Sequence, residues 1–168
     1  DAPYLVRHGA GYTIFEHHSH GLKHELRLFV DPEEPVKFTC LRLENTSNRP
    51  RVLAVTYYCE WVLGVNQDQT QQYLVPEYDS QTGALLARQP YQEEFRERVA
   101  FVAANLKPVG LTADRTEFLG RLGDLARPAA LERVGLTGRV GAGADPCAAL
   151  KIFVDLEAGE TKEIHFLL

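Results

Sequence analysis

The stretch RVLAVTYYCEWVL (residues 51–63) decides the fold class, because its apolar residues recur with a period of two. Successive side chains of a β-strand point to opposite faces of the sheet. The pattern therefore predicts a long strand with one buried face and one partly polar face. The face predicted to be fully buried carries Leu53, Val55, Tyr57, Cys59, Trp61 and Leu63.

The same alternation recurs along the chain between turn-forming residues, and about ten such segments predict an all-β fold, a large antiparallel sandwich or barrel. Helical periodicity is scarce. Only QEEFRERV (92–99) and DRTEFLGRLGDL (114–125) predict a turn or two of helix. Further predicted strands are LKHELRLFV (22–30), VKFTCLRLEN (36–45), ERVAFVAANL (97–106), CAALKIFVDL (147–156) and TKEIHFLL (161–168), and predicted turns are NTSNRP (45–50), YDSQTG (78–83) and EAGE (157–160).

Length and charge narrow the classes of function. The 168 residues are enough for a single domain, 1–168, with a packed core. A net charge of −5, spread along the chain, argues against a nucleic-acid partner, which would require a basic patch. No apolar run approaches the roughly 20 residues that span a bilayer, and no signal peptide is recognisable at the start. The absence of methionine, including at position 1, suggests an excised, processed or selected segment.

The cysteines indicate a reducing compartment. Cys40, Cys59 and Cys147 are an odd number without the close spacing of a disulfide framework or a zinc site. Free cysteine behaves as a small buried hydrophobe, which suits their apolar surroundings. We therefore expect a cytoplasmic domain.

Four histidines lie close together in FEHHSHGLKHELRLFV (residues 15–30). Neighbouring strand residues face opposite ways, so His17 and His18 do not readily share a metal ion. A tight turn at His20–Gly21 would place His17 opposite His24 and leave two imidazoles per face. A zinc site needs three or four protein ligands. The sequence therefore predicts packed histidines and no metal site.

Paired carboxylates of the glycosidase type cannot be assigned from sequence, because their pairing is spatial. Glu60 stands out, because Trp61 follows it at the end of the longest strand. An aromatic ring stacks on the C–H face of a sugar while a carboxylate accepts its hydroxyls, although the alternation also favours a core position for Trp61. The candidate carboxylates are Glu60, Glu77, Asp79, Asp114 and Glu117.

The stretch GVNQDQTQQY (residues 64–73) is rich in side-chain amides. Amides both donate and accept hydrogen bonds, as neutral polyols require. Loops displayed by a rigid β-scaffold commonly carry binding residues, although a merely soluble loop has a similar composition. The predicted substrate-binding residues are Glu60, Trp61, Asn66, Gln67, Gln69, Gln71 and Gln72.

Several motifs resemble the amino-terminal β-sandwich domain of glycoside hydrolase family 94, the former glycosyltransferase family 36. The family includes cellobiose and chitobiose phosphorylases. The matching motifs extend over nearly the whole chain, and the later ones look closest to the cyclic β-1,2-glucan synthases. They are HGAGYT (8–13), Gly21 and Glu25 before LFV (28–30), LENTS (43–47), YYCEWVLG (57–64), DRTEFLGRLGDLARPAAL (114–131) and GRVGAGADPCAAL (138–150).

The resemblance implies a supersandwich of the galactose mutarotase-like kind, with its first strands outside this chain. It also implies that catalysis lies in a separate (α/α)₆ barrel, which would bind inorganic phosphate, so we assign no catalytic residue, cofactor or metal here. In the family's phosphorylases, the loop after the Glu-Trp pair reaches a neighbouring subunit's active site. The implied partners are a β-linked glucan or oligosaccharide, the catalytic barrel of the same parent chain and a second copy in a homodimer. The resemblance implies no membrane contact by this segment, although the parent protein can be attached to the inner membrane.

The sequence is compatible with three functions. The first is a non-catalytic β-sandwich of a glycosyltransferase or glycoside phosphorylase that helps to bind glucan. The second is a stand-alone mutarotase-like enzyme using His24 with Glu60, which no motif supports. The third is a purely structural assembly domain without sugar contact.

Overall fold

A computed structural model describes residues 3–94 and 96–168. It confirms the all-β, antiparallel fold class. Two short helices and two 3₁₀ turns interrupt the strands. The strands are β1 (Leu5–Gly9), β2 (Tyr12–Ser19), β3 (Leu22–Val30), β4 (Lys37–Asn45), β5 (Arg51–Glu60), β6 (Val75–Asp79), β7 (Ala84–Arg88), β8 (Val99–Ala104), β9 (Gly110–Asp114), β10 (Pro146–Leu156) and β11 (Thr161–Leu167); the helices are α1 (Gln67–Thr70) and α2 (Arg115–Leu119), and the 3₁₀ turns are Gln71–Tyr73 and Ala129–Glu132.

The chain divides into two compact units. The first takes in the chain up to Val55 together with residues 104–106 and Phe153–Leu168; the second comprises Thr56–Ala103 and Lys107–Ile152. The first unit contains the strand order β1-β2-β3-β4-β11, and the second contains the order β8-β7-β6. Strands β5 and β10 pair in a further sheet of order β5-β10-β9.

The histidine-rich stretch forms the predicted hairpin in the first unit. His20 and Gly21 have φ of 52° and 73°, and two residues at positive φ are what a tight two-residue hairpin requires. The register places His17 opposite His24, as expected, with ring centroids 5.9 Å apart. His18 instead has its Nε2 3.0 Å from Thr46 Oγ1. No group of three potential metal ligands occurs in the described part of the chain.

Asn45, the last residue of β4, connects two parts of the first unit through its side chain. Its side chain is fully buried. The amide Nδ2 lies within 3.1 Å of the carbonyl oxygens of Arg49, Leu156 and Glu157. Its Oδ1 accepts bonds from the backbone N–H and the hydroxyl of Ser47. The LENTS motif therefore ties the β4–β5 turn to the end of β10.

The most deeply buried strand is β10. The face of 51–63 that the alternation predicted to be fully buried is only half-buried, apart from the buried Trp61. All seven residues from Pro146 to Ile152 are buried, whereas the residues of β5 are half-buried or exposed. Alternation specifies which residues of a strand share a face, but not what packs against that face. Position in the sheet does not decide it either, because β9, an edge strand like β5, has four of its five residues buried. Burial of Cys147 in β10 raises the pKa of its thiol.

The core of the second unit gathers around α2. Phe118 and Leu119 pack with Ala130 and with Ala149 of β10. The ring of Tyr58 stacks on Phe118, with centroids 4.3 Å apart and planes 9° apart. Helix α2 lies between its N-cap, Asp114, and its C-cap, Gly120. It is the short helix of a turn or two that was predicted in the stretch 114–125. The other predicted helical stretch, 92–99, forms turns without helix in its described residues, and Phe95 lies outside them.

Candidate functional site

Glu60 is the centre of a polar network in the second unit. Its Oε1 accepts bonds from the hydroxyl of Tyr58 (2.7 Å) and from Nε of Arg115 (3.0 Å), and its Oε2 accepts from Nε2 of Gln67 (2.8 Å). Arg115 also reaches Asp145, with Nη1 3.2 Å from Oδ2. The network therefore joins the end of β5 to the starts of α1 and α2.

The network controls the ionisation of its members. Partial burial alone would raise the pKa of Glu60, but the hydrogen bonds from Gln67, Tyr58 and Arg115 outweigh it and leave the pKa below its usual value. Burial and the bond to Glu60 raise the pKa of the Tyr58 phenol. Glu60 is therefore a carboxylate held ionised by its neighbours, not a proton donor at neutral pH.

The amide-rich stretch forms a short helix and a 3₁₀ turn rather than the predicted loop. Asn66 caps α1, because its Oδ1 accepts from Gln69 N at 3.0 Å. The Thr70 hydroxyl lies 2.9 Å from Val62 O and 2.8 Å from Asn66 O, which closes the segment on itself. A Cβ added at Gly64 would come within 2.3 Å of Thr70 Cγ2, so the bend permits no side chain there.

An open groove of about 610 Å³ lies along this segment. The stretch 65–73 contributes one side, and the residues that follow β7 contribute the other. Four amide side chains and a pair of tyrosines line it. The lining residues are Val65, Asp68, Gln69, Thr70, Gln72, Tyr73, Gln89, Tyr91, Gln92 and Glu93, and this part of the site is called the amide groove below.

The predicted binding residues fall into two groups. Gln69 and Gln72 line the amide groove. Asn66 and Gln67 hold α1 through the bonds described, and Gln71 is half-buried in the 3₁₀ turn. Their contact with a sugar stays a prediction.

Trp61 is buried, with 4 % of its surface exposed, as its place in the apolar alternation favoured. Its indole Nε1 has no hydrogen-bond partner among the described residues. The ring therefore presents no open face to solvent, and the exposed aromatic side chain of the site is Tyr91, at 72 %.

Sequence reasoning missed Tyr73, Gln89, Tyr91 and Gln92. The second side of the groove lies about twenty positions beyond the first, and only tertiary packing brings them together. One local signal was present: QPYQ (89–92) repeats the amide and aromatic composition of QQY (71–73). This shared composition was the one feature of the sequence that could have indicated that the two turns line the same groove.

The other candidate carboxylates all have partners within the protein. Glu117 is buried and bound by the hydroxyls of Thr112 and Thr137 and by Thr137 N at 2.6–2.8 Å. Burial would raise its pKa, but these bonds lower it below the usual value. Asp114 caps α2 and pairs with Arg139 at 2.5 Å. Glu77 lies 3.6 Å from Arg88, and Asp79 accepts hydrogen bonds from Gln81 N and from the hydroxyl of Thr82.

His24, the imidazole of the mutarotase hypothesis, stacks against His17 in the first unit. Burial, and then the proximity of His17 and His18, lowers the pKa of His24. A second groove in this unit, of about 650 Å³, is lined mainly by apolar groups. Its residues are Ala10, Gly11, Tyr12, Ile14, Arg27, Phe29, Val30 and Pro32.

Comparison with known protein families gives one match over the whole chain. The model of the glycosyl hydrolase 94 supersandwich domain matches residues 1–168. The chain belongs to this family. The family model covers the full sequence, so the resemblance carried by the motifs is confirmed as a family relationship.

Curated relatives are much longer than this chain. It is 36 % identical over 168 residues to the cyclic β-(1,2)-glucan synthase NdvB of Rhizobium meliloti (strain 1021), covering 99 % of the chain and 6 % of that protein. It is 29 % identical to a solabiose phosphorylase of Paenibacillus borealis, covering 98 % of the chain and 22 % of the relative. It is 24 % identical to an N,N'-diacetylchitobiose phosphorylase of Vibrio proteolyticus, covering 100 % of the chain and 22 % of the relative. The chain thus spans less than a quarter of each.

The glycosyl hydrolase 94 chain has no helix in its described residues with the length and apolar character needed to cross a bilayer.

Proposed function

We propose that the chain is the non-catalytic supersandwich domain of a larger glycosyl-transferring enzyme, of the glycoside phosphorylase or cyclic β-1,2-glucan synthase type. In this role it supports the binding of a β-linked glucan and packs on the catalytic barrel of the same parent chain. The observation that carries the proposal is the amide groove. It lies where the family's sandwich loop is expected to meet substrate, and its lining suits neutral hydroxyl groups.

The polar network supports a binding role over a catalytic one. Glu60 is held by Tyr58, Gln67 and Arg115. A general acid needs a raised pKa and access to the leaving group, whereas Glu60 has a lowered pKa and bonded oxygens. Glu60 therefore acts as a positioning residue that fixes α1.

The second unit also displays apolar side chains in a manner that supports packing on another domain. Leu122 and Val134 are 100 % and 93 % exposed. Exposed apolar groups of this extent, concentrated in one segment, are typical of interaction surfaces. We assign residues 120–134 to the contact with the catalytic barrel. The barrel in turn would bind a phosphate ion, and the parent enzyme would pair with a second subunit.

Calorimetric titration tests the sugar-binding part of the proposal. The 168-residue chain is titrated with β-1,2- and β-1,4-linked gluco-oligosaccharides. We expect measurable binding that weakens in a Gln69→Ala, Gln72→Ala double variant and is retained in Gln81→Ala, an exposed glutamine in the β6–β7 turn. Absence of binding to every oligosaccharide would contradict the glucan-supporting role and favour a purely structural domain.

Activity assays on the same protein test the alternative that the chain is itself an enzyme of the mutarotase kind. We expect no release of sugar 1-phosphate from oligosaccharide and inorganic phosphate, and no acceleration of the interconversion of α- and β-glucose. Mutarotation accelerated by the wild type and abolished in His24→Ala would replace the proposal with an enzyme of the mutarotase kind.

A further inference from the structure

We infer that the amide groove is a self-contained binding site for a neutral gluco-oligosaccharide, in which Tyr91 is the stacking surface and Gln69, Gln72 and Gln92 bind hydroxyl groups. The inference rests on the proposed function and deepens it, because it assigns the ligand to a site formed within the second unit. A second subunit is not needed to complete it.

The aromatic pair provides the first argument. The rings of Tyr73 and Tyr91 are nearly parallel, with centroids 4.3 Å and planes 8° apart. Tyr91 nevertheless keeps 72 % of its surface exposed. One face of the Tyr91 ring is therefore supported by Tyr73 while the remainder faces solvent. A large exposed ring held flat by a second ring is suited to the C–H face of a pyranose, which is apolar.

The tyrosine is held by the backbone as well as by its neighbour. Gln89 is buried, with 5 % exposed, and its Oε1 accepts from Tyr91 N at 2.9 Å. Gln89 follows β7, which is paired on both sides, with β6 and β8. Binding to such a surface costs little conformational entropy, because the ring and its turn are already ordered.

The opposite side of the groove is fixed just as firmly. Asn66 caps α1, and Thr70 closes the segment onto Val62. These bonds leave the side chains of Gln69 and Gln72 exposed toward the groove. Each amide offers two N–H donors and an oxygen acceptor, which matches the donor-acceptor character of a sugar hydroxyl.

Charge restricts the class of ligand. The charged residues lining the groove in the described part of the chain are Asp68 and Glu93, both acidic. A phosphate or carboxylate ligand would be repelled and would find no arginine or lysine to pair with. The lining therefore selects a neutral polyol over a sugar phosphate, a nucleotide or an acidic polysaccharide.

The test compares one substitution at the ring with its conservative partner. The full 168-residue chain is titrated with β-1,2-linked glucotriose and with cellotriose, and ¹⁵N NMR follows the backbone amides. We expect Tyr91→Ala to weaken binding about tenfold, as for the loss of an aromatic contact, and Tyr91→Phe to stay within about threefold of wild type. Tyr78→Ala, a tyrosine of β6 outside the lining set, is the matched control and should bind as wild type. Thermal unfolding verifies that each variant is folded.

The possible results distinguish this inference from the proposed function. Shifts centred on residues 65–73 and 89–93 that vanish in Tyr91→Ala support the site. Oligosaccharide binding that is unchanged in Tyr91→Ala overturns the groove but leaves the glucan-supporting role intact. No binding by the wild type overturns both. Tighter binding of glucose 6-phosphate than of glucose would overturn the assignment to neutral sugars.

Discussion

The hydroxyl of Tyr58 donates a 2.7 Å hydrogen bond to Oε1 of Glu60, two residues further along β5. Residues i and i+2 of a strand share a face, so the sequence spacing itself permits the bond. The same tyrosine stacks on Phe118 of α2. This one side chain therefore links the apolar core to the polar network that fixes α1.

Tyr58→Phe should lower the free energy of unfolding by about 1 kcal/mol, because it removes one hydrogen bond and retains the ring. Tyr58→Ala should cost about 3–5 kcal/mol, because the stack on Phe118 is lost as well. Urea unfolding measures both. Equal losses in the two variants would show that the hydroxyl, not the ring, stabilises this part of the second unit.

Glu60→Gln should destabilise the chain by about 1–3 kcal/mol and disturb α1. A neutral amide presents only one acceptor oxygen to the three donors that now bind the carboxylate, from Tyr58, Gln67 and Arg115. NMR should show shifts at the amides of Gln67–Thr70. Glu77→Gln is the control, since that side chain is half exposed and lies 3.6 Å from Arg88. A similar loss in both variants would remove the special role of Glu60.

Acidification should destabilise the chain below about pH 4.5. The pKa values of Glu60 and Glu117 in the folded chain lie below the ordinary value of 4.5, so unfolding takes up protons in this range. The stabilisation is fully present well above pH 4.5 and is lost as the pH falls through the folded-state values. Urea unfolding at pH 7, 5, 4 and 3.5 should show a flatter profile for Glu117→Gln than for wild type. Parallel profiles would mean that Glu117 contributes nothing to the acid sensitivity.

Gly123→Ala should destabilise the segment after α2. A Cβ at this position would lie 1.9 Å from the carbonyl oxygen of Leu119, a backbone atom that cannot rotate away. Gly135→Ala is the matched control, because nothing lies within 4 Å of its Cβ position. We expect a loss of about 1–3 kcal/mol for the first and little change for the second. Equal melting temperatures for the two variants would contradict the tight approach at Gly123.

Asn45→Asp should be among the most damaging single changes in the first unit. The substitution replaces an N–H₂ group facing three carbonyl oxygens with an oxygen, which places a buried carboxylate against acceptors. We expect a loss of about 3–5 kcal/mol, or failure to fold, measured by urea unfolding or by soluble yield. Asn48→Asp, on the exposed part of the same turn, should be nearly neutral. An Asn45→Asp chain as stable as wild type would show that the hydrogen bonds of this amide do not stabilise the first unit.

The longer strands and the turns between them were predictable because their signals are local, whereas the five-residue strands β1, β6, β7 and β9 are too short to show a clear alternation. Alternation identified β3, β4, β10 and β11, and Gly21 identified the hairpin that sets His17 against His24. Burial was less predictable. The sequence of β5 is as apolar as that of β10, but local sequence does not specify what packs on the faces of each strand. Pro146–Ile152 of β10 are all buried, whereas no residue of β5 is.

The site was predictable on one side only. The side-chain amides of residues 66–72 indicate a polar surface, and Asn66 is a recognisable helix cap. Helix α1 has only four residues, however, which is too short to produce a detectable helical periodicity. Tyr91 and Gln89 meet this surface through tertiary packing. Trp61 drew attention as an aromatic next to a carboxylate, whereas its buried position follows from the same alternation that predicted the strand.

The pairing of β4 with β11 has a consequence for the time course of folding. Cys40 lies opposite His165, and the two side chains meet at 3.1 Å although they are 125 positions apart in the chain. Contacts of such long sequence separation slow folding, because a large loop must close before they form. During synthesis, the β1–β4 hairpins emerge well before their last partner strand, with the hydrogen-bonding edge of β4 unsatisfied. That interval is when the nascent chain is most exposed to wrong strand pairing, and when a chaperone would have most effect on its yield.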